Sequence, residues 1–229
     1  MNITQLPWDS ELFGYPVGIL KLNGEDFSQN EFVAESNGFR LVYVTNSKSM
    51  NAPLLSCGDS RLVFSKTPEN QGRDVKVVSA STEHGSVMKE LGLQSGLWSR
   101  FALDPLLRKG EFNLLYEKWV ERSLLKEIAY ETLTVMIDSQ PGGLITLAEE
   151  GTGTSIGLFA VAKENRGQGI GKLLLEAAET ISFSRGDGQL SVATQGKNKD
   201  ACEVYRRHGF EVKSETYIYN YWNEAFSVQ

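Results

Sequence analysis

The residues with the clearest chemical purpose are Arg166-Gly167-Gln168-Gly169-Ile170-Gly171-Lys172. They follow an apolar stretch, residues 157–162, that suits a buried strand, and they open a segment in which Ile170, Leu173, Leu174, Ala177, Ala178 and Ile181 recur at helical spacing. The N–H groups at a helix start have no internal partners and the macrodipole is positive there, so this order of elements suits a phosphate or pyrophosphate. Three alternating glycines are costly in backbone entropy, a cost that makes sense where a ligand must approach the main chain. Gln168 and Ile170, between them, direct their side chains away from such a ligand.

Two other glycine-rich motifs are excluded by spacing. A Walker A loop needs Gly five residues before Gly171 and Ser or Thr after Lys172, where this chain has Arg166 and Leu173. A dinucleotide fingerprint needs a third glycine at the position of Lys172. What remains is Arg-x-x-Gly-x-Gly at Arg166, Gly169 and Gly171. A second block follows: residues 190–194 read as a strand, then come Asn198, a helix over residues 199–208 that contains Tyr205, and Gly209-Phe210. Cys202 and His208 are six apart on that helix and point to different faces, which disfavours a Cys-His nucleophile. With Cys57 and His84 the only others of their kind, no pair has zinc-ligand spacing and no metal is expected.

The strand, the Arg166-x-x-Gly169-x-Gly171 turn and the helix resemble the coenzyme A signature of the GNAT acetyltransferase superfamily, which runs Val-x-Pro-x-x-Arg or Gln-x-x-Gly-x-Gly or Ala. Val161 and Arg166 fall at the family's spacing, and Lys163 stands where Pro is usual. The resemblance covers roughly residues 75–229. It implies acetyl-CoA as the acetyl donor, with its pyrophosphate on the amides of Gly167, Gln168, Gly169, Ile170, Gly171 and Lys172 beside Arg166, and its pantetheine arm along Phe159, Ala160 and Val161. It also implies that Asn198 helps hold the cofactor and that Tyr205 reaches its sulfur as the general acid. Glu149, Glu150 or a water relay are the candidates for the base.

A narrower similarity concerns the acceptor. Trp8-Asp9-Ser10-Glu11-Leu12-Phe13-Gly14, Gly38-Phe39, Ser99-Arg100-Phe101 and Tyr116-x-x-Trp119 together resemble the TDP-fucosamine acetyltransferase group, which acetylates the 4-amine of a TDP-linked 4-amino-4,6-dideoxyhexose. On that resemblance Trp8 stacks on a nucleobase and Arg100 pairs with a diphosphate. Two rival readings stay open: a non-catalytic acyl-CoA-binding module, and a GNAT enzyme acting on a protein N-terminus or lysine.

The elements that must position these groups are legible in outline. Strands are expected over residues 38–44, 62–64, 75–79, 131–137, 143–148, 154–162 and 189–193, with one or two more over 211–222. Helices are expected from about residue 83, over 111–126, from 170 to Gly186, and over 199–208. This gives an α/β or α+β fold: a mixed, mostly antiparallel central sheet flanked by helices, with a smaller strand-rich N-terminal part. The polar stretch 66–74, with Pro68 and Gly72, marks a boundary between an acceptor-side domain, 1–72, and the acetyltransferase domain, 73–229.

With 41% hydrophobic and 23% charged residues the chain is built to fold, and a net charge of −6 argues against nucleic acid as a partner. No apolar run approaches the ~20 residues of a membrane span, and the opening lacks a signal-peptide pattern, so a cytoplasmic location without membrane association is expected. Whether the chain acts alone or as a homodimer stays open.

Overall fold

The computed structural model describes residues 1–226, with residues 57 and 58 described by backbone alone. In chain order the elements are β1 (Thr4–Gln5), α1 (Pro7–Phe13), β2 (Val17–Lys21), α2 (Gln29–Glu35), β3 (Leu41–Asn46), β4 (Ser56–Lys66) and β5 (Val77–Ser79). Then come α3 (Gly85–Ser95), α4 (Arg100–Leu103), α5 (Lys109–Leu124), β6 (Glu131–Ile137), β7 (Gln140–Pro141), β8 (Gly143–Glu150) and β9 (Gly153–Val161). The chain ends with α6 (Ile170–Ser184), β10 (Leu190–Gln195), α7 (Lys199–Arg207) and β11 (Glu211–Trp222).

The strands form one continuous sheet in the order β1-β2-β3-β11-β4-β10-β9-β8-β6-β5, with β7 paired to β6. Most neighbours are antiparallel, and the parallel pairs are β2 with β3 and β9 with β10. One face is covered by α6 and α7, over a core that includes Phe64, Leu133, Ile145, Ile156, Leu174, Val192 and Tyr205. The other carries α1, α3, α4 and α5, over Phe13, Tyr43, Leu91, Leu115, Leu144 and Leu158. A third cluster around Leu22, Phe32, Val44 and Tyr219 closes the β2–β3–β11 end. The mixed, mostly antiparallel sheet flanked by helices is the expected fold.

Several elements differ from expectation. Residues 7–13 form α1 where only an aromatic, turn-rich segment is legible, because Pro7 suits the first helical position and Gly14 closes the helix at φ 74°. Helices α2 and α4 add to the expected four, β4 is eleven residues long, and residues 211–222 form a single strand.

Residues 67–74 carry no helix or strand, yet no sheet boundary coincides with them. Strand β4 lies between β10 and β11, running antiparallel to both, so a strand from the first 72 residues completes the sheet of the remainder. The crossing is fastened to α6. Lys66 pairs with buried Glu179 at 2.6 Å, the Glu69 amide donates to the same carboxylate at 3.0 Å, and Thr180 Oγ1 donates to the Gly72 carbonyl at 2.8 Å.

Candidate active site

The parallel pairing of β9 and β10 lasts only three residues, from Thr154 opposite Leu190 to Ile156 opposite Val192. Both strands continue beyond that point, to Val161 and Gln195, and diverge into a wedge. A bulge in β9 accompanies the divergence. Ile145 faces Phe159 and Leu147 faces Ile156, so Thr146 alone stands opposite both Gly157 and Leu158. Thr146 Oγ1 accepts the Leu158 N–H at 2.8 Å, and a β-carbon at position 157 would lie 3.0 Å from the same oxygen.

The extra residue bends the strand and moves its alternation by one. Ile156 packs under α6 and α7, Leu158 and Ala160 turn to the opposite face, and Phe159 and Val161 return to the α6 side. Beyond the bulge, Ala162 N–H donates to Gly142 O at 3.0 Å, so by strand alternation Ala160 also bonds to β8. The amides of Phe159 and Val161 therefore turn toward the wedge. Ala160 keeps only its side chain for other contacts, on the face opposite α6.

At the wide end of the wedge the chain turns through Lys163–Asn165 and enters α6. Lys163, in place of the usual proline, is accommodated in one 3-10 turn. Gly167 and Gly169 have φ of 77° and 81°, and an added β-carbon at either meets nothing within 4 Å. Both are in the left-handed region, where Gly avoids the strain of a side chain, and both border open space. Among the described residues no backbone acceptor takes the amides of residues 167–172; the first helical donor is Leu173, to Gly169 O at 3.1 Å. Gln168 Nε2 folds back to Glu164 O at 3.3 Å, Arg166 Nε donates to Val161 O at 3.2 Å, and Ile170 is buried in the core. Lys172 lies 3.6 Å from Glu176. A row of unpaired amides on an open, glycine-lined helix start fits a pyrophosphate.

Tyr205, on α7, reaches the same wedge from the α6 side. It is 4% exposed, with its ring 5.6 Å from Phe64, 6.2 Å from Phe159 and 6.0 Å from Phe210. Among the described residues nothing hydrogen-bonds its hydroxyl, and burial pushes the phenol well above its ordinary pKa. Asn198 caps α7, accepting the Ala201 N–H at 3.2 Å and reaching Thr194 Oγ1 at 3.4 Å. One amide proton and one lone pair remain for a ligand. Cys202 is buried and free, and burial raises its thiol, consistent with a packing role.

On the opposite face, α4 packs against β4. The Arg100 guanidinium lies 4.3 Å from the Tyr43 ring centroid and 4.2 Å from that of Phe101, and its Nε is buried without a hydrogen-bond partner among the described residues. Tyr43 Oη donates to Asp9 Oδ1 at 3.5 Å. Burial raises the Asp9 carboxyl, with Arg100 pulling the other way. Trp8 packs instead toward α5, with Arg122 5.9 Å from its ring.

The two base candidates separate. Glu149 turns to the α6 side and pairs with Arg185 at 2.7 Å. Glu150 turns to the acceptor face and accepts the Ser191 Oγ hydroxyl at 2.5 Å, one residue from the point where β9 and β10 part. Asp9, Tyr43 and Arg61 were not singled out from sequence, because only the packing of α1 and α4 on the sheet gathers them. No group of three or more His, Cys, Asp or Glu side chains able to hold a metal occurs among the described residues. None of their helices is long and apolar enough to cross a membrane.

Residues 100–210 match the family model described as the acetyltransferase (GNAT) family. No curated protein matches the sequence. Among solved structures, a functionally unknown conserved protein from Staphylococcus epidermidis superposes with a TM-score of 0.66 at 15% identity, over 91% of this chain and 85% of its own. A GCN5-related N-acetyltransferase from Kribbella flavida gives 0.52 at 14% identity over 90% and 80%. A GNAT-family acetyltransferase from Colwellia psychrerythraea gives 0.53 at 12% identity over 84% and 70%. At these identities the structures share the fold alone, and the family match over residues 100–210 adds the chemistry, that of an acetyl-CoA-dependent N-acetyltransferase.

Proposed function

We propose that the acceptor is a small primary amine, the 4-amine of a TDP-linked amino-dideoxy sugar. The observation that carries this reading is Arg100, a guanidinium held on two aromatic rings with a buried, unpartnered Nε, on the sheet face opposite α6. An arginine left in that state is suited to an anionic group of the substrate, such as the diphosphate of a sugar nucleotide. The short N-terminal resemblances supply the sugar.

Acetyl-CoA supplies a thioester with an electrophilic carbonyl and a sulfur that leaves as a thiolate. The amides of residues 167–172 are assigned to its pyrophosphate, with Arg166 and Asn198 beside it. The wedge-facing N–H groups of Phe159 and Val161 polarise the acyl oxygen. Glu150 receives the amine proton directly or through water, and the Tyr205 hydroxyl, kept neutral by burial, donates toward the departing sulfur.

The deciding experiment is mass spectrometry of products from a panel of TDP-amino sugars and simple amines incubated with acetyl-CoA. Acetylation of a TDP-amino sugar with a kcat/KM at least about tenfold above the simple amines is expected. Equal or better turnover of simple amines overturns the acceptor.

A further inference from the structure

Arg61, on β4, is a further cation on the acceptor face. Leu62 and Phe64 pack on the α6 and α7 side, so strand alternation sends Arg61 to the side that α4 covers. It stands opposite Gln195, the last residue of β10, at the open end of the wedge. Its surface is solvent-accessible, yet the protein around it lowers its guanidinium pKa, Glu150 opposes that effect, and the Arg100 charge adds to it. Arg61 is thus an exposed cation at the mouth of the wedge, on the face opposite α6.

Among the described residues neither Arg61 nor Arg100 has an ion pair. Asp9 and Glu150 are near enough to be felt by Arg100 and Arg61 respectively, and neither is in salt-bridge contact with them. Two cations and two carboxylates thus share one face without neutralising each other at contact. Such a face is complementary to a ligand that carries an anion at one end and an amine at the other.

We infer that Arg61 and Arg100 form a two-guanidinium subsite for the phosphoryl or diphosphoryl group of the acceptor, leaving Glu150 to its amine. The inference rests on the acceptor reading above and adds Arg61 to it. A single carboxylate would leave one guanidinium unmatched, whereas a diphosphate can engage both planar forks.

The test uses the intact protein saturated with coenzyme A, so that the glycine turn is filled and cannot bind the probe. Calorimetric titration with inorganic pyrophosphate should show binding that weakens at least about tenfold in Arg61→Ala and in Arg100→Ala, about 1.4 kcal/mol each. Arg61→Lys, which keeps the charge and loses the fork, should fall between wild type and alanine. Coenzyme A affinity in each variant reports that the fold is intact. No binding of pyrophosphate to the saturated wild type, undiminished binding in Arg61→Ala, or acetate binding as tightly as pyrophosphate each overturns the subsite. If pyrophosphate binds as expected while no TDP-amino sugar is acetylated, the subsite stands and the sugar reading fails.

Discussion

Tyr205 has a buried ring and a hydroxyl with no hydrogen-bond partner among the described residues, and in the proposed mechanism that hydroxyl is free to donate to the coenzyme A sulfur. Because burial raises its pKa, the phenol stays protonated across the ordinary working pH range and its own ionisation should not shape the pH profile there. Tyr205→Phe keeps the ring contacts and removes the donor. Single-turnover kinetics should show kcat lower by about 10² to 10⁴ with acetyl-CoA affinity nearly unchanged; wild-type turnover with chemistry rate-limiting would remove Tyr205 from the mechanism. Gly169 offers a second test. Gly169→Ala adds a β-carbon into open space at φ 81°, so it should cost only about 1–2 kcal/mol of local strain. Gly169→Glu adds bulk and negative charge as well, and calorimetry should show coenzyme A binding lost in a folded protein. Undiminished affinity would move the pyrophosphate elsewhere. Both residues were legible in the sequence because their signal is local: a helix-opening glycine and a Tyr seven residues after a capping Asn. Arg61 and Asp9 carry no such signal, since only tertiary register brings them to Arg100.

The bulge at Gly157 and Leu158 is the element-scale counterpart of that local chemistry. A glycine inside an apolar strand hints at a bulge, but the sequence of β9 alone cannot say which residue of β8 stands opposite it. Thr146 does, and its hydroxyl takes the buried Leu158 amide. Thr146→Val keeps the shape and deletes that acceptor, so thermal unfolding should show a loss of about 1–3 kcal/mol. If the bulge sets the wedge, the KM for acetyl-CoA should rise in the same variant. A stability loss with unchanged KM would mean that the sheet holds the wedge open without the Thr146 bond. Helix α6 was legible almost to the residue because its apolar stripe is long and its ends carry glycines. The short α1, α2 and α4 were not, since one or two turns do not establish a period.

At the scale of the whole molecule, the position of β4 is what composition and periodicity least reveal. The polar stretch 66–74 looks like a domain joint, yet the strand before it completes the sheet on the far side of it. A fragment of residues 73–229 would leave β10 and β11 without their shared neighbour and uncover the Phe64 site between them. Circular dichroism and proteolysis should find that fragment unfolded or aggregated when expressed alone and structured when residues 1–72 are supplied. A stable, coenzyme A-binding fragment would show that β4 is dispensable. The same topology shapes biosynthesis. Strand β4 leaves the ribosome well before β10 and β11, and at roughly 5–20 residues per second it waits about 6–25 s for its first partner. Through that interval Leu62-Val63-Phe64 is a nascent apolar strand with two unpaired edges, and Arg61 and Lys66 flank it as the charges that keep it from pairing with another chain.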